Sequence, residues 1–279
     1  MIKTEHVHRA RLYKLASLGF DRPDEQLIEA FECGEFERQL LESARALETE
    51  AADGTAGTEP SDRSRLVERA EAVADRCPSD SEEIDSLTDE YAARFGFENG
   101  GEISLYEIEY SPGTVLTSTD TLADLSGFYG AFGLEKRDGY RDRSDHLCLE
   151  LEFCSHLALQ TAYLYETEDE TGIDVLESAQ ASFLEDHLGR WVPRFRETVD
   201  DGVAGGFYRE LAATVDELVA ADAKRFDVEP SVFPETPPAP TEQFLGGDEE
   251  GDFRCNGCGI SSMPGQEPST IPNAPRPDG

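Results

Sequence analysis

Apolar residues recur at helical spacing through most of the chain. From the N-terminus to about residue 227 they repeat every three or four positions, and no convincing run of alternating β-branched residues with hairpin turns interrupts them. The pattern predicts an all-α fold, a single helical bundle-like domain over residues 1–228. The predicted helices run from about Val7 to Gly19, Pro23 to Gly34, Glu35 to Ala52, Ser61 to Val73, Ser81 to Phe95, Thr119 to Phe132, Ser144 to Glu166, Ile173 to Val199 with a kink near Pro193, and Gly205 to Phe226.

One connection between the predicted helices keeps large aromatic residues. Between Phe97 and Ser118 the helical pattern lapses into Gly, Pro and Ser around the segment LYEIEY, Leu105 to Tyr110. Aromatic residues favour an ordered structure, and ordered irregular connections often carry binding sites. We therefore expect residues 97–118 to be an ordered, irregular connection that contributes to a site.

The last fifty or so residues have a different composition. Beyond Val228 the chain is rich in Pro, Gly and acidic residues and has hardly any periodicity. Such a segment buries too little apolar surface to fold by itself, which predicts a disordered C-terminal tail over residues 229–279.

The tail contains the motif RCNGCG, with Cys255 and Cys258. Two cysteines at this spacing form half of a zinc or iron–sulfur site. Two further ligands would have to come from the main domain, a second subunit or a partner. A site for Zn or Fe, or a redox function, therefore stands beside the alternative of an incidental pair of thiols. Cys33, Cys77, Cys148 and Cys154 are most simply reduced thiols, the last two packed as small hydrophobes.

The segment from Ser144 to Tyr165 is apolar on nearly every face and yet begins with several polar residues. A helix of this kind is buried on several sides, so its polar residues need partners. With Ser144 as N-cap, Asp145 falls in the first turn, and His146 and Glu150 share one face of the helix. Two interpretations remain open: these residues cap the helix and tie the preceding loop, or they face a binding groove.

A second apolar segment, FLEDHLGRWVPRF, contains Trp191, the single tryptophan of the chain. Together with His187, Leu188 and Phe195 it forms a bulky aromatic stripe at helical spacing. Such a stripe usually packs into a core, and the alternative is the lining of a peptide groove, because aromatic anchors favour recognition.

The net charge limits the possible partners. Sixty Asp and Glu stand against 24 Lys and Arg, a formal charge of −36, and 20 of the basic residues are Arg. Such a surface repels nucleic acid and anionic membranes, so we expect neither as a partner. It is typical of adaptation to a salt-rich cytoplasm, which predicts a halophilic source. No run of about 18 apolar residues and no signal peptide occur, so we expect a soluble, cytoplasmic protein without membrane insertion.

The chain lacks the sequence motifs of several main classes of enzyme. No phosphate-binding glycine loop, nucleophile elbow or zinc-protease helix is present, and the single Glu-x-x-His, Glu5 to His8, is half of what a di-iron bundle requires. A hydrolase using Asp145 and His146 would lack a nucleophile or metal. We therefore expect a protein without catalytic activity.

The order of four motifs resembles the TorD/DmsD family of molybdoenzyme maturation chaperones, which includes the NarJ type. The motifs are LYEIEY, LADLSGFYGAFGLE, SDHLCLELEFCSHL and FLEDHLGRWVPRF, and the resemblance covers about residues 8–226. It implies an all-helical chaperone in the cytoplasm. Such a chaperone binds the twin-arginine signal peptide and the apo form of a molybdopterin oxidoreductase catalytic subunit, assists cofactor insertion and proofreads before export.

The resemblance also implies a signal-peptide site, with no cofactor of its own. The family's peptide-binding residues correspond to Asp145, His146 and Glu150, with an aromatic connection on the adjacent wall and two further aromatic residues as lining. The wall and lining residues are Tyr106, Glu109, Tyr110, Tyr129 and Trp191. Many members have Pro two residues before the Asp of the Asp-His pair, whereas this chain has Arg143, a basic residue that would oppose an arginine-rich peptide.

Physical reasoning agrees with that implication. A signal peptide presents two arginines and an apolar stretch, so its receptor needs carboxylates beside an apolar groove, and Glu109, Asp145 and Glu150 are the candidates. Apolar burial at about 25 cal/mol per Å² would carry most of the affinity where salt screens rim charges. We expect moderate, salt-tolerant binding. The alternative is a metal-binding or redox accessory protein that acts through Cys255 and Cys258.

Overall fold

Helices form at nearly all the places where the apolar spacing predicts them. In a computed structural model of the chain, the residues described are 4–52, 60–95, 103–112, 115–136, 142–202 and 206–235. The helices are α1 (Thr4–Phe20), α2 (Glu25–Glu32), α3 (Glu35–Ala52), α4 (Pro60–Ala74), α5 (Ser81–Arg94), α6 (Val115–Ala131), α7 (Leu147–Thr167), α8 (Glu170–Phe183), α9 (Gly189–Gly202) and α10 (Phe207–Arg225). These ranges contain no β-strand, only an isolated bridge between Tyr106 and His146, which confirms the all-α prediction.

Several helix boundaries follow from local capping. The Asp24 side chain accepts a hydrogen bond from the backbone N–H of Leu27 at the start of α2, and Asp80 does the same for Glu83 at the start of α5. The predicted start of α6 at Thr119 was wrong, because the helix already begins at Val115.

The core is centred on the long contact between α1 and α7, with α10 against the other side of α1. Ser17 donates to the carbonyl of Cys148 at 3.1 Å, and Ser155 donates to the carbonyl of Ala10 at 2.7 Å, so hydrogen bonds between side chain and backbone also join the pair. Gly19 allows α10 to approach, since a Cβ at this position would lie 2.5 Å from Cδ2 of Leu211.

The predicted kink near Pro193 is a π-helical segment, Leu184–Leu188, that joins α8 to α9. Pro193 cannot donate a hydrogen bond to the carbonyl of Gly189, and its ring crowds that turn, so the irregular hydrogen bonding precedes the proline. The wider turn contains His187, which is buried.

The ordered body extends past the predicted boundary at Val228. Phe233 is buried and its N–H donates to the carbonyl of Arg190 at 2.9 Å, while Pro230 lies against Gly189. Residues 229–235 therefore pack against α9, and residues 236–279 of the predicted tail lie outside the described part of the chain. None of the helices described has the length and hydropathy needed to cross a membrane.

Candidate functional site

The start of α7 differs from the sequence prediction, and the difference shapes the site. Ser144 is not the N-cap and Asp145 is not in the first turn, because α7 begins at Leu147 with His146 as its N-cap. The N–H of Leu147 donates to the carbonyl of Leu105 at 2.8 Å, and the N–H of Glu107 donates to the carbonyl of Asp145 at 3.0 Å. This bridge to the aromatic connection holds His146 in an extended conformation, so the helix cannot start earlier.

His146 acts as a capping residue through its ring. Its Nδ1 accepts a hydrogen bond from the N–H of Cys148 at 3.2 Å, and its ring meets the Tyr106 ring edge-on at 5.0 Å between centroids. Burial lowers the pKa of His146 below its ordinary value of 6.5, against the opposing effect of Asp142. A neutral imidazole with a bare Nδ1 is the form that can accept this bond.

Arg143, Asp145, Glu109 and Tyr106 form one cluster, which we call the Arg143 cluster. Arg143 donates from Nε to Oδ1 of Asp145 at 2.9 Å and from Nη2 to Oδ2 at 3.0 Å, a two-point contact with a carboxylate that is fully buried. Nη2 also lies 3.3 Å from Oε1 of Glu109, and the guanidinium carbon lies 4.5 Å from the centroid of the Tyr106 ring. The cluster thus surrounds a guanidinium with two carboxylates and an aromatic face, and the chain supplies that guanidinium itself.

Glu150 and Trp191 lie in the core. The indole N–H of Trp191 donates to Oε2 of Glu150 at 3.0 Å, and neither residue has exposed surface. Burial raises the pKa of Glu150 well above its ordinary value of 4.5, and the neighbouring carboxylate of Glu107 raises it further. A peptide could touch Glu150 or Trp191 only if the helices moved apart, so their part in peptide binding stays a prediction.

The two remaining aromatic candidates are also largely covered. Tyr110 stacks on Trp191 at 5.4 Å between ring centroids and donates its hydroxyl to the carbonyl of Ser104, and Tyr129 donates to the carbonyl of Ser144 at 2.9 Å. The bond from Tyr129 fixes the loop before α7, and the bond from Tyr110 fixes the aromatic connection. Of the eight residues predicted to bind the peptide, Glu109 and Tyr106 present the most surface to solvent.

Sequence reasoning missed a second group on the other side of the same connection. Residues Glu107–Glu109 form a single 3₁₀ turn, and three residues per turn put Glu107 on the buried face that carries Tyr110. Oε2 of Glu107 lies 3.1 Å from Nδ1 of His187, and both side chains are almost completely buried. No local pattern in the sequence joins Glu107 to His187, because the two residues are 80 positions apart.

This pair borders a cleft of about 890 Å³, which we call the acidic cleft. The 3₁₀ turn and the residues that follow it, α6, the π-helical segment, the start of α9 and Phe233 form its walls. Its lining comprises Glu107, Ser111, Pro112, Asp120, Thr121, Ala123, Asp124, Asp186, His187, Arg190 and Phe233. Four of these eleven residues are carboxylates, and the cleft is open to solvent.

The predicted metal site cannot be examined in the structure, because Cys255 and Cys258 lie outside the described residues. Within the described ranges, no group of three or more His, Cys, Asp or Glu side chains is arranged to hold a metal ion. Cys33, Cys77, Cys148 and Cys154 are free thiols, and the last two are buried, as predicted.

Comparison with known proteins agrees with the fold and the motifs. The model of the nitrate reductase delta subunit family matches residues 59–197. The chain is 31% identical to the selenate reductase assembly chaperone protein of Thauera selenatis over 142 residues, which cover 50% of this chain and 70% of that protein. It is 32% identical to the chlorate reductase assembly chaperone protein of Ideonella dechloratans over 138 residues, 48% of this chain and 68% of the relative.

A longer match covers more of the chain. The perchlorate reductase assembly chaperone protein of Dechloromonas aromatica is 29% identical over 225 residues, 76% of this chain and 87% of the relative. All three matches concern proteins that are named for the assembly of a reductase.

Proposed function

The chain belongs to the nitrate reductase delta subunit family of TorD-like assembly chaperones, and we propose that it binds the twin-arginine leader and the apo catalytic subunit of a molybdopterin oxidoreductase. In this role it holds the client in the cytoplasm until the cofactor is inserted and export can follow. The role needs binding surfaces and no catalytic step of its own.

The observation that carries the proposal for the leader is the Arg143 cluster. A guanidinium is recognised best by a carboxylate that accepts two parallel N–H bonds and by an aromatic ring beneath its plane. Asp145 and Tyr106 supply these contacts to Arg143, and Glu109 adds a second carboxylate. The same side chains have the chemistry to receive an arginine of the leader in place of Arg143.

Exchange of one arginine for another is feasible here because the groups at the rim are accessible. The Arg143 side chain is 42% exposed and that of Glu109 is 53% exposed, whereas Asp145 is held from below by the N–H of Ile108 at 3.2 Å. Rotation of Arg143 would uncover the Asp145 carboxylate without disturbing the backbone that positions it. An incoming arginine would then restore the charge balance of the buried carboxylate.

The apolar part of a leader also has a matching surface. Two of the large apolar side chains that are exposed within the described ranges, Leu159 and Tyr163, lie on α7. They line a shallow pocket of about 460 Å³ together with Val7 of α1. Binding to such a surface tolerates salt, because burial of apolar area does not depend on screened charges.

Co-purification tests the proposal for the client. We would express the tagged protein in a halophilic host, recover it in molar KCl and identify its partners by mass spectrometry. The expected partner is a molybdopterin oxidoreductase that still bears its leader. Recovery should fall with Glu109→Gln and stay unchanged with Glu32→Gln, an exposed carboxylate on α2. Recovery of the protein alone, or of a client without a leader, contradicts the proposal.

A further inference from the structure

The residues that line the acidic cleft are different from those of the Arg143 cluster. We propose that it binds the guanidinium group of an arginine side chain. For the source of that arginine, the leader of the client, the proposal rests on the function proposed above. The capacity to bind a guanidinium group rests on the cleft alone.

Charge is the first argument. Among the residues that line the cleft, carboxylates outnumber Lys and Arg four to one: Glu107, Asp120, Asp124 and Asp186 against Arg190. That arginine is committed to the C-terminal segment, with its guanidinium carbon 4.6 Å from the Phe233 ring centroid and its Nε donating to the carbonyl of Ser231 at 3.3 Å. Of the carboxylates on the α6 side of the cleft, Asp124 lies 3.3 Å from Nε2 of His187, and the exposed Asp120 is available to a cation from outside.

An unfilled bonding position at the base of the cleft is the second argument. His187 is 3% exposed and uses Nδ1 for Glu107, while its Nε2 makes no hydrogen bond to any of the residues that the structure describes. Oδ2 of Asp124 lies 3.3 Å from Nε2, out of line for a hydrogen bond, and the Asp124 side chain is 63% exposed. A buried polar atom without a hydrogen bond is costly, and a ligand that rearranges Asp124 could relieve that cost.

Shape and chemistry select a guanidinium over other cations. The carboxylates stand on two walls, Asp120 and Asp124 on α6 and Asp186 on the π-helical segment. A planar group with five N–H donors can bridge carboxylates that a compact ammonium would contact one at a time. Pro112 offers an apolar face against which such a plane can pack, whereas the Phe233 ring is already covered by the guanidinium of Arg190.

The same connection already demonstrates this recognition on its other side. Glu109, at the end of the 3₁₀ turn, faces Arg143, whereas Glu107, at its start, faces His187. Consecutive side chains of an extended peptide point in opposite directions. Two arginines in a row can thus address carboxylates on both sides of one turn.

A small probe tests the cleft without the leader. Nα-acetylarginine methylamide is titrated into the protein in molar KCl while the ring signals of His187 are followed by NMR, with Nα-acetylcitrulline methylamide as the neutral control. The expected result is a saturable shift of the His187 signals with the arginine probe, lost in Asp124→Asn plus Asp186→Asn and kept in Asp85→Asn plus Asp89→Asn on α5. Absence of a shift, or an equal shift with citrulline, overturns the proposal.

A leader-like peptide then separates the two proposals. A synthetic peptide of two arginines followed by a leucine- and alanine-rich stretch is titrated into the wild type and the same variants by calorimetry. Loss of one charge-assisted contact should weaken binding about tenfold in Asp124→Asn plus Asp186→Asn, and the α5 control should match the wild type. Undiminished binding contradicts the cleft as a leader site and leaves the proposed function standing. A peptide that does not bind, together with a shift of His187 by the small probe, contradicts the leader proposal and retains the cleft.

Discussion

Carboxylates lie on both sides of the 3₁₀ turn at Glu107–Glu109, and the two sides differ in which groups contact those carboxylates. On one side, Asp145 and Glu109 enclose the chain's own Arg143. On the other, His187 lies 3.1 Å from Glu107 and 3.3 Å from Asp124, and these residues border an open cleft. The first side is closed by an internal cation and the second is open. An incoming arginine must displace Arg143 in the Arg143 cluster, whereas in the acidic cleft it has no arginine to displace.

The difference also separates stability from binding. Asp145 is fully buried, so its charge needs a partner for the fold to be stable, while Asp124 and Asp186 are exposed and are solvated without one. Substitutions in the Arg143 cluster should therefore lower the stability of the fold, whereas substitutions in the acidic cleft should weaken binding and leave stability nearly unchanged.

The largest expected effect is on the closed side. Arg143→Ala leaves the Asp145 carboxylate buried without its cation and should reduce the free energy of unfolding by about 2–3 kcal/mol. Urea unfolding in molar KCl measures this. Addition of Asp145→Asn to Arg143→Ala should recover most of the loss, because it removes the uncompensated charge. A loss below about 0.5 kcal/mol for Arg143→Ala would remove the distinction between the two sides.

Glu150 tests a third carboxylate, one that has a hydrogen bond but no cation. Its pKa is raised by burial, so the folded state holds the proton more tightly than the unfolded state, and stability falls as pH rises above the ordinary value of 4.5. Glu150→Gln keeps an acceptor for the indole N–H of Trp191 and should be more stable than the wild type by about 1–2 kcal/mol at neutral pH.

The pH dependence of the stability difference between Glu150→Gln and the wild type shows whether ionisation of Glu150 is its cause. The advantage of Glu150→Gln should shrink as pH is lowered toward 5, which unfolding curves at several pH values would show. A variant that is less stable than the wild type at every pH would mean that the ionised carboxylate stabilises the core.

His146 joins the closed side to α7 and should have a smaller effect. His146→Ala removes the N-cap acceptor for Cys148 and should cost about 1 kcal/mol, whereas His146→Asn keeps an acceptor and should cost less. The pKa of His146 is lowered in the fold, so its contribution to stability is fully present above the ordinary value of 6.5 and is lost as pH falls below 6.5 through the lower pKa of the folded state.

Thermal unfolding between neutral pH and pH 5 would resolve this contribution. The stability of His146→Asn should depend less on pH in that range than the stability of the wild type. Parallel curves for the two proteins would show that protonation of His146 does not break the cap.

The smallest expected effect is on the open side. Asp124→Asn plus Asp186→Asn should change the free energy of unfolding by less than about 0.5 kcal/mol, because exposed carboxylates contribute little to stability. A loss as large as that of Arg143→Ala would show that the cleft carboxylates hold the fold together, which would contradict an open binding site.

The sequence predicted the parts of the fold that depend on local patterns. The bounds of α3, Glu35–Ala52, match the prediction because an amphipathic pattern lies between turn residues. The predicted start of α7 was wrong. Residues 105–107 pair with residues 145–147 through backbone hydrogen bonds, and this pairing between distant segments overrides the capping preference of Ser144. Contacts of this kind have no signature in a local pattern.

The sequence also predicted only part of how the candidate site residues are arranged, because their contacts join segments that are distant in sequence. The resemblance pointed to Asp145 and His146, and the structure brings them to the aromatic connection through the bridge between Tyr106 and His146. The resemblance pointed to Glu109 and not to Glu107, and the 3₁₀ turn that buries Glu107 is visible only in three dimensions. The hydrogen bonds from Arg143 to the Asp145 carboxylate likewise depend on the three-dimensional path of the loop before α7.

The central claim is that the Arg143 cluster and the acidic cleft recognise arginine side chains of the leader by their charge. Calorimetric titration of the wild-type protein in molar KCl, with the twin-arginine peptide and with a peptide in which both arginines are citrulline, tests it most directly. The account predicts saturable binding of the arginine peptide and at least about tenfold weaker binding of the citrulline peptide. Equal affinities for the two peptides would contradict it, because they would show that apolar burial alone accounts for the binding.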